Sequence, residues 1–209
     1  MADDNPVLNP QWVASPRTAL LLIDCQVDFG AAEGAMARRG ADIGPARAAL
    51  EQARMLTEAA RAAQVPVIFV RLINKPGAET AVTREAKARR RDDAPPVCLE
   101  GSHGADFVGV HPAPGERIVT KTLYSAFHDT GLDRMLHAGG VDTLVLAGLT
   151  TECCVASTAW GAFERDFHLF IAADACAAYE AGLHAGALEA LKLSGAIPHP
   201  AADFAAAWK

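Results

Sequence analysis

A chain of 209 residues can bury one sizeable core and is too short for two ordinary domains. Hydrophobic residues make up 51% and charged residues 21%, the balance of a globular chain rather than a disordered or fibrous one. The net charge of -6 argues against nucleic acid or an anionic membrane surface as the main partner.

In chain order, "MADDNPVLNPQWVASPR" (1–17) places acids where a secretory leader carries basic residues, and no apolar stretch follows before the first strand. "TALLLID" (18–24) reads as a buried strand ending on an acid. "ARAALEQARMLTEAARAAQ" (46–64) has apolar positions at helical spacing, and "VPVIFVR" (65–71) is a second buried strand. Residues 72–115, rich in Pro, Gly and charge, read as an inserted excursion outside the core. Within it, "REAKARRRDD" (84–93) carries its own acids and reads as a solvated, salt-bridged face, with cover over an anionic substrate as the alternative.

"ERIVTK" (116–121) is a short strand, and "TGLDRMLHAGG" (130–140) a helix capped by Thr130 and closed by glycines. "VDTLVLAG" (141–148) is the clearest strand, with "ECCVASTAWGAFERD" (152–166) as the helix after it. "FHLFIAAD" (167–174) and "GLHAGALEALKLSG" (182–195) repeat strand then helix, and "AADFAAAWK" is a short docked helix or a loose end. No apolar run approaches the ~20 residues needed to cross a bilayer.

Near-continuous apolar strands alternating with helices predict a sheet covered on both faces. Right-handed crossovers then give a three-layer αβα, doubly wound, mostly parallel sheet of about six strands. The whole chain, 1–209, reads as a single domain.

Ligands of such sheets sit beyond the carboxyl ends of the strands. There stand Asp24, Arg71, Lys121 and the segment Gly148-Leu149-Thr150. Taken singly, a strand-end Asp caps helices, a strand-end Lys is solvated and a helical Cys is inert core. Taken together they assemble an acyl-transfer site. Thr150 or Thr151 caps the following helix and puts Cys153 and Cys154 in its first turn, where free N–H groups and the helix dipole lower a thiol pKa. Asp24 can take the thiol proton and return it to a leaving amine, with Lys121 orienting the carboxylate. Cys153 and Cys154 point about 100° apart, so only one faces the cleft, and spacing does not choose between them.

The five cysteines, Cys25, Cys98, Cys153, Cys154 and Cys176, form no regular framework and read as free thiols of a reducing cytoplasm. With no CxxC pair and no HExxH, a zinc site has little support, and no cofactor is expected.

From "LLIDCQVDFG" through "KTLYSAFHDTGLDRML" to "AGLTTECCVASTAWGAF" and "AADAC", the sequence resembles the isochorismatase-like cysteine hydrolases. That family includes nicotinamidases, N-carbamoylsarcosine amidase, ureidoacrylate and biuret amidohydrolases, and isochorismatase itself. The resemblance implies a catalytic triad of Cys154, Asp24 and Lys121. Its turn, G-x-x-T-x-x-C-V, falls on Gly148, Thr151, Cys154 and Val155, which selects Cys154 and leaves Cys153 as a variable neighbour. It also implies a cis peptide between Leu149 and Thr150, and an oxyanion hole from the N–H groups of Thr150 and Cys154.

Two departures narrow the expectation. "RLINKPGAET" lacks the Asp/His cluster of metal-dependent nicotinamidases, and the thiol is absent from isochorismatases that cleave a vinyl ether. Both point to a metal-free amidohydrolase of small linear amides or N-carbamoyl compounds. Vinyl-ether hydrolysis, a non-catalytic binding protein and a redox sensor built on the vicinal thiols are the alternatives. Phe29 and Gln26, in the first motif, are candidates for a pocket wall and a polar support. Arg71 and Asn74 are candidates to hold a carboxylate or ureido group, and Tyr124 and Phe127 to line the pocket. His103 reads as a solvated loop histidine rather than a base. A homodimer or homotetramer is the expected assembly.

Overall fold

Side chains alternate across a strand, so a strand apolar at every position must be covered on both faces. The first strand, β1 (Thr18–Ile23), meets that condition: Leu20 and Leu22 enter one core, and Ala19, Leu21 and Ile23 enter the other. The computed structural model describes residues 6–91 and 93–209. Around β1 it assembles β2 (Val67–Leu72), β3 (Arg117–Lys121), β4 (Thr143–Leu149), β5 (His168–Ala177) and β6 (Ile197–His199). The order is β3-β2-β1-β4-β5-β6, and every neighbouring pair is parallel. The chain winds outward from β1 to β3 on one side and from β4 to β6 on the other. That reversal opens a crevice at the carboxyl ends of β1 and β4.

The connections supply the outer layers. Two short helices, α1 (Val27–Gly30) and α2 (Ala35–Arg38), follow β1, and α3 (Gly44–Ala62) leads to β2. The buried positions of α3, Ala46, Ala49, Leu50, Ala53, Leu56, Thr57 and Ala60, recur every three or four residues and face one side of the sheet. The excursion carries α4 (Ala81–Arg90), which buries no residue and is laced by Glu79–Lys87 and Glu85–Arg89 ion pairs. The basic run is thus a solvated, salt-bridged face. On the other side lie α5 (Leu132–Ala138), α6 (Ala156–Phe163) and α7 (Ala181–Leu191). The tail forms α8 (Ala201–Ala207), docked beside α3 through the fully buried Phe204.

Three local expectations need correction. The excursion is not wholly outside the core: Leu72, Ile73, Cys98 and Ala105 form a small core of their own, and Val110 joins the main one. The helix expected over 152–166 is divided into a wide turn, Thr151–Val155, and the shorter α6. Finally, β5 continues to Ala177, and its register with β4 shifts between Leu146 and Gly148. Such an irregularity re-aims the strand end beside the crevice.

Candidate active site

Each element at the crevice delivers one group. Asp24 leaves β1 in the left-handed region (φ 51°), a conformation that Asp tolerates better than most side chains. Its N–H still donates to the Val70 carbonyl at 2.9 Å, so the strand end stays anchored while the carboxylate turns inward. Gly148, at φ 123° one residue before the end of β4, pairs with Ile23 of β1. A Cβ there would lie 2.0 Å from the Ile23 carbonyl oxygen, so only glycine permits this approach. The Leu149–Thr150 peptide is cis. The Thr150 carbonyl accepts from the N–H groups of both Cys153 and Val155, each at 3.1 Å. This wide turn lifts Cys154 toward the two strand-end residues.

Lys121, the last residue of β3, completes the group. Its ammonium donates to Asp24 Oδ2 at 2.7 Å, to the Leu123 carbonyl at 3.1 Å and to Cys154 Sγ at 3.3 Å. An ammonium has three donors, and all three are engaged. Asp24 and Lys121 are 0% and 1% exposed and Cys154 is 5% exposed, so the cluster sits in a low-dielectric interior. Asp24 Oδ1 is buried without a hydrogen-bond partner among the described residues. An acceptor left free beside a thiol is placed to receive its proton.

Electrostatics follow from that burial. Burial raises the Asp24 carboxyl above the ordinary range, against the opposing charge and hydrogen bond of Lys121. For Lys121 burial pulls downward, but the Asp24 charge and the Cys154 contact outweigh it and hold the ammonium protonated. Contact with the Cys153 thiol, burial and the Asp24 charge all push the Cys154 thiol up. These influences run against the lowering expected from the helix N-terminus. A thiol pushed in this direction calls for a base to take its proton.

The other candidates separate. Gln26 is fully buried: its Nε2 donates to the Leu72 and Ala105 carbonyls, and its Oε1 accepts from the Leu72 N–H. It is a bracket between β2 and the excursion, with no donor left for a ligand. Asn74 bonds through Nδ2 to the Val97 carbonyl and through its backbone to Cys98 and Glu100, tying the excursion to the sheet. Phe127 lies in the core beside α5 and α6, stacked 5.8 Å from the Phe167 ring and under the Arg165 guanidinium. Arg71 donates Nε to Thr120 Oγ1 at 3.1 Å, on the outer strand pair. Tyr124 is exposed, and Phe29 is half-buried between the main core and that of the excursion. His103 is exposed and paired with Asp106, whose hydrogen bond raises its pKa.

Sequence reasoning passed over Tyr179, Glu152 and His184. Tyr179 donates its hydroxyl to the Phe29 carbonyl at 2.9 Å, and Glu152 Oε2 is buried without a hydrogen-bond partner among the described residues. His184 reaches Thr151 from α7. Nothing in local spacing signals any of the three, because each meets its neighbours only through the fold.

A buried ammonium bonded to both a carboxylate and a thiol, at the switch point of a doubly wound parallel sheet, defines a cysteine hydrolase of the α/β class. Residues 18–203 match the family described as the Isochorismatase domain, and the chain belongs to that family. It is 31% identical over 186 residues to the ureidoacrylate amidohydrolase RutB of Methylobacterium radiotolerans, covering 82% of this chain and 71% of that one. An isochorismatase family protein from Desulfovibrio vulgaris superposes with a TM-score of 0.78 at 29% identity, covering 89% of this chain and 95% of that one. A cysteine hydrolase from Pseudomonas syringae shares the fold at a TM-score of 0.82 and 24% identity, covering 100% and 98%.

Proposed function

We propose that this chain hydrolyses the C–N bond of a small linear amide or N-carbamoyl (ureido) compound through a Cys154 acyl-enzyme. The observation that carries the reading is the Lys121 ammonium bonded at once to Asp24 Oδ2 and Cys154 Sγ, beside an Asp24 Oδ1 with no hydrogen-bond partner among the described residues. Cys154 Sγ attacks the carbonyl carbon as its proton passes to Asp24. The tetrahedral oxyanion is received by the N–H groups of Thr150 and Cys154. Collapse expels ammonia or an amine, which takes the proton back from Asp24 and leaves a thioester. Water then attacks the thioester with Asp24 as base, the acid departs and the thiol is restored. Lys121 holds the carboxylate in place and offsets the charge that builds on sulfur. Each step falls to a side chain or backbone N–H of this chain, so the scheme needs no metal or cofactor.

The kinship to ureidoacrylate amidohydrolases supports the ureido class, and five free cysteines support a reducing, cytoplasmic setting. No described helix is long and apolar enough to cross a membrane. Assembly into a dimer or tetramer belongs to the same proposal. It is supported by α7, which buries only Leu191 and exposes Leu183, and by exposed Trp160 and Phe163 on α6. The decisive test is an ammonia-release screen over small amides and ureido acids, ureidoacrylate included. Release by the wild type that vanishes in Cys154→Ala supports the reading. Hydrolysis of a vinyl ether that frees no ammonia, survives Cys154→Ala and needs Asp24 would replace it with chemistry that does not use the thiol.

A further inference from the structure

The nucleophile turn is held from outside as well as from within. Thr151, its first residue, is fully buried, and its hydroxyl lies 2.8 Å from Nδ1 of His184 in α7, 33 residues further on. Helix α7 otherwise sits lightly on the sheet, with Leu191 its one buried residue. A specific polar bond from such a helix to a buried threonine therefore needs an explanation beyond packing.

We propose that His184 is a positioning residue for the hydrolysis, acting through Thr151 to hold the nucleophile turn. The inference rests on the Cys154 reading above. A β-branched side chain has few χ1 choices, so fixing the Thr151 hydroxyl also restrains its backbone. Thr151 stands directly after the carbonyl that gathers the Cys153 and Val155 N–H groups. Rotation at Thr151 would swing that carbonyl, loosen both bonds and shift the Cys154 Sγ off Lys121. His184 touches no reacting group; its contact is with Thr151. Burial lowers its pKa, partly offset by Glu152, so the imidazole is neutral near pH 7, and either neutral tautomer closes the bond to a hydroxyl.

The test reads Cys154 directly and needs no substrate. In a Cys153→Ala background, the rate and pH profile of iodoacetamide alkylation are mapped on Cys154 by mass spectrometry. The charged groups that shape the profile are Asp24 and Lys121 around the thiol, and Glu152 beside His184. His184→Leu and Thr151→Val are each expected to slow alkylation near neutral pH about tenfold, the effect of one lost hydrogen bond, and to move the profile upward in pH. The double variant should lose no more than either single one, and His184→Asn, which keeps a partner near the Nδ1 position, should recover most of the rate. Wild-type rates in His184→Leu, losses that multiply in the double variant, or no recovery with Asn would each overturn the proposal. Should His184→Leu unfold, His184→Asn against His184→Gln, which moves the group outward, decides the same question: equal rates in the two would overturn it. A Cys154 that reacts no faster than Cys25 in the unaltered chain would instead sink the nucleophile reading itself.

Discussion

At the scale of single residues, the site depends on how one ammonium is shared. With its three donors spent on Asp24, Leu123 and Cys154, Lys121 fixes the carboxylate and faces the sulfur in one geometry. Arginine would not substitute, since its planar fork cannot radiate three bonds from one atom. Asp24→Asn keeps the shape and removes the base. We expect kcat to fall by about 10²–10⁴, the usual weight of general-base catalysis, with the thermal midpoint lowered as well. The midpoint is expected to fall because the buried Lys121 ammonium loses the carboxylate that compensates its charge. An Asp24→Asn enzyme within a few-fold of wild type would remove Asp24 from the mechanism. Cys153→Ala should retain most activity while Cys154→Ala loses it, and equal losses would refute the assignment of roles. Asp24 and Lys121 stood out in the sequence because strand ends at a switch point are where chemistry collects, whereas spacing left Cys153 and Cys154 open and only the family resemblance selected Cys154. Gln26, Asn74 and Phe127, candidates for polar support, ligand contact and pocket lining, each have a scaffold partner that local spacing does not reveal. A polar or aromatic group near a motif serves equally well as scaffold, and only their partners at Leu72, Val97 and Phe167 reveal the use.

Elements fail or succeed by their junctions. The strand-to-helix order around Cys154 was readable, but the wide turn was not. Helical periodicity over a 15-residue stretch is insensitive to one extra residue in its first turn. The junction is also where substitution should hurt most. Gly148→Ala would place a methyl 2.0 Å from the Ile23 oxygen at a φ of 123°, against backbone that cannot yield. Expression of a folded Gly148→Ala protein with wild-type circular dichroism and melting would contradict this packing; we expect little or no folded material. Gln26→Leu tests the excursion's junction more gently. It keeps the volume but strands the Leu72 N–H and two carbonyls in the interior, each costing about 1–3 kcal/mol if unrelieved. The expected result is a clear drop in the urea midpoint, with early protease cleavage within residues 72–115.

The molecule as a whole was the most legible level, because strand-helix alternation with doubly covered strands admits few topologies. What escaped was β6, three residues with a proline at its centre, too short to carry a period and tolerable only at a sheet edge. Assembly is a property of this scale too. Leu183→Glu on the exposed face of α7 should split a dimer or tetramer in light scattering, and a wild type that is monomeric at micromolar concentration would end that proposal. The buried thiols give the last prediction. Burial foremost, with nearby carboxylates, holds Cys25, Cys98 and Cys176 protonated in the fold, Cys176 up to about 12, against 9.0 for the free group. Above pH ~9 the unfolded chain therefore binds fewer protons than the native one, and stability must fall as pH rises. Each such thiol contributes a slope of about 1.4 kcal/mol per pH unit, and below pH ~9 the contribution is flat. Urea unfolding at about pH 8 and about pH 10 should thus differ by roughly 4 kcal/mol from these three groups together. Removing one of them, as in Cys25→Ala, should reduce that difference by about a third, whatever it does to stability at the lower pH. A difference unaltered by Cys25→Ala would mean that this thiol titrates alike in both states, which its complete burial between β1 and the crevice forbids.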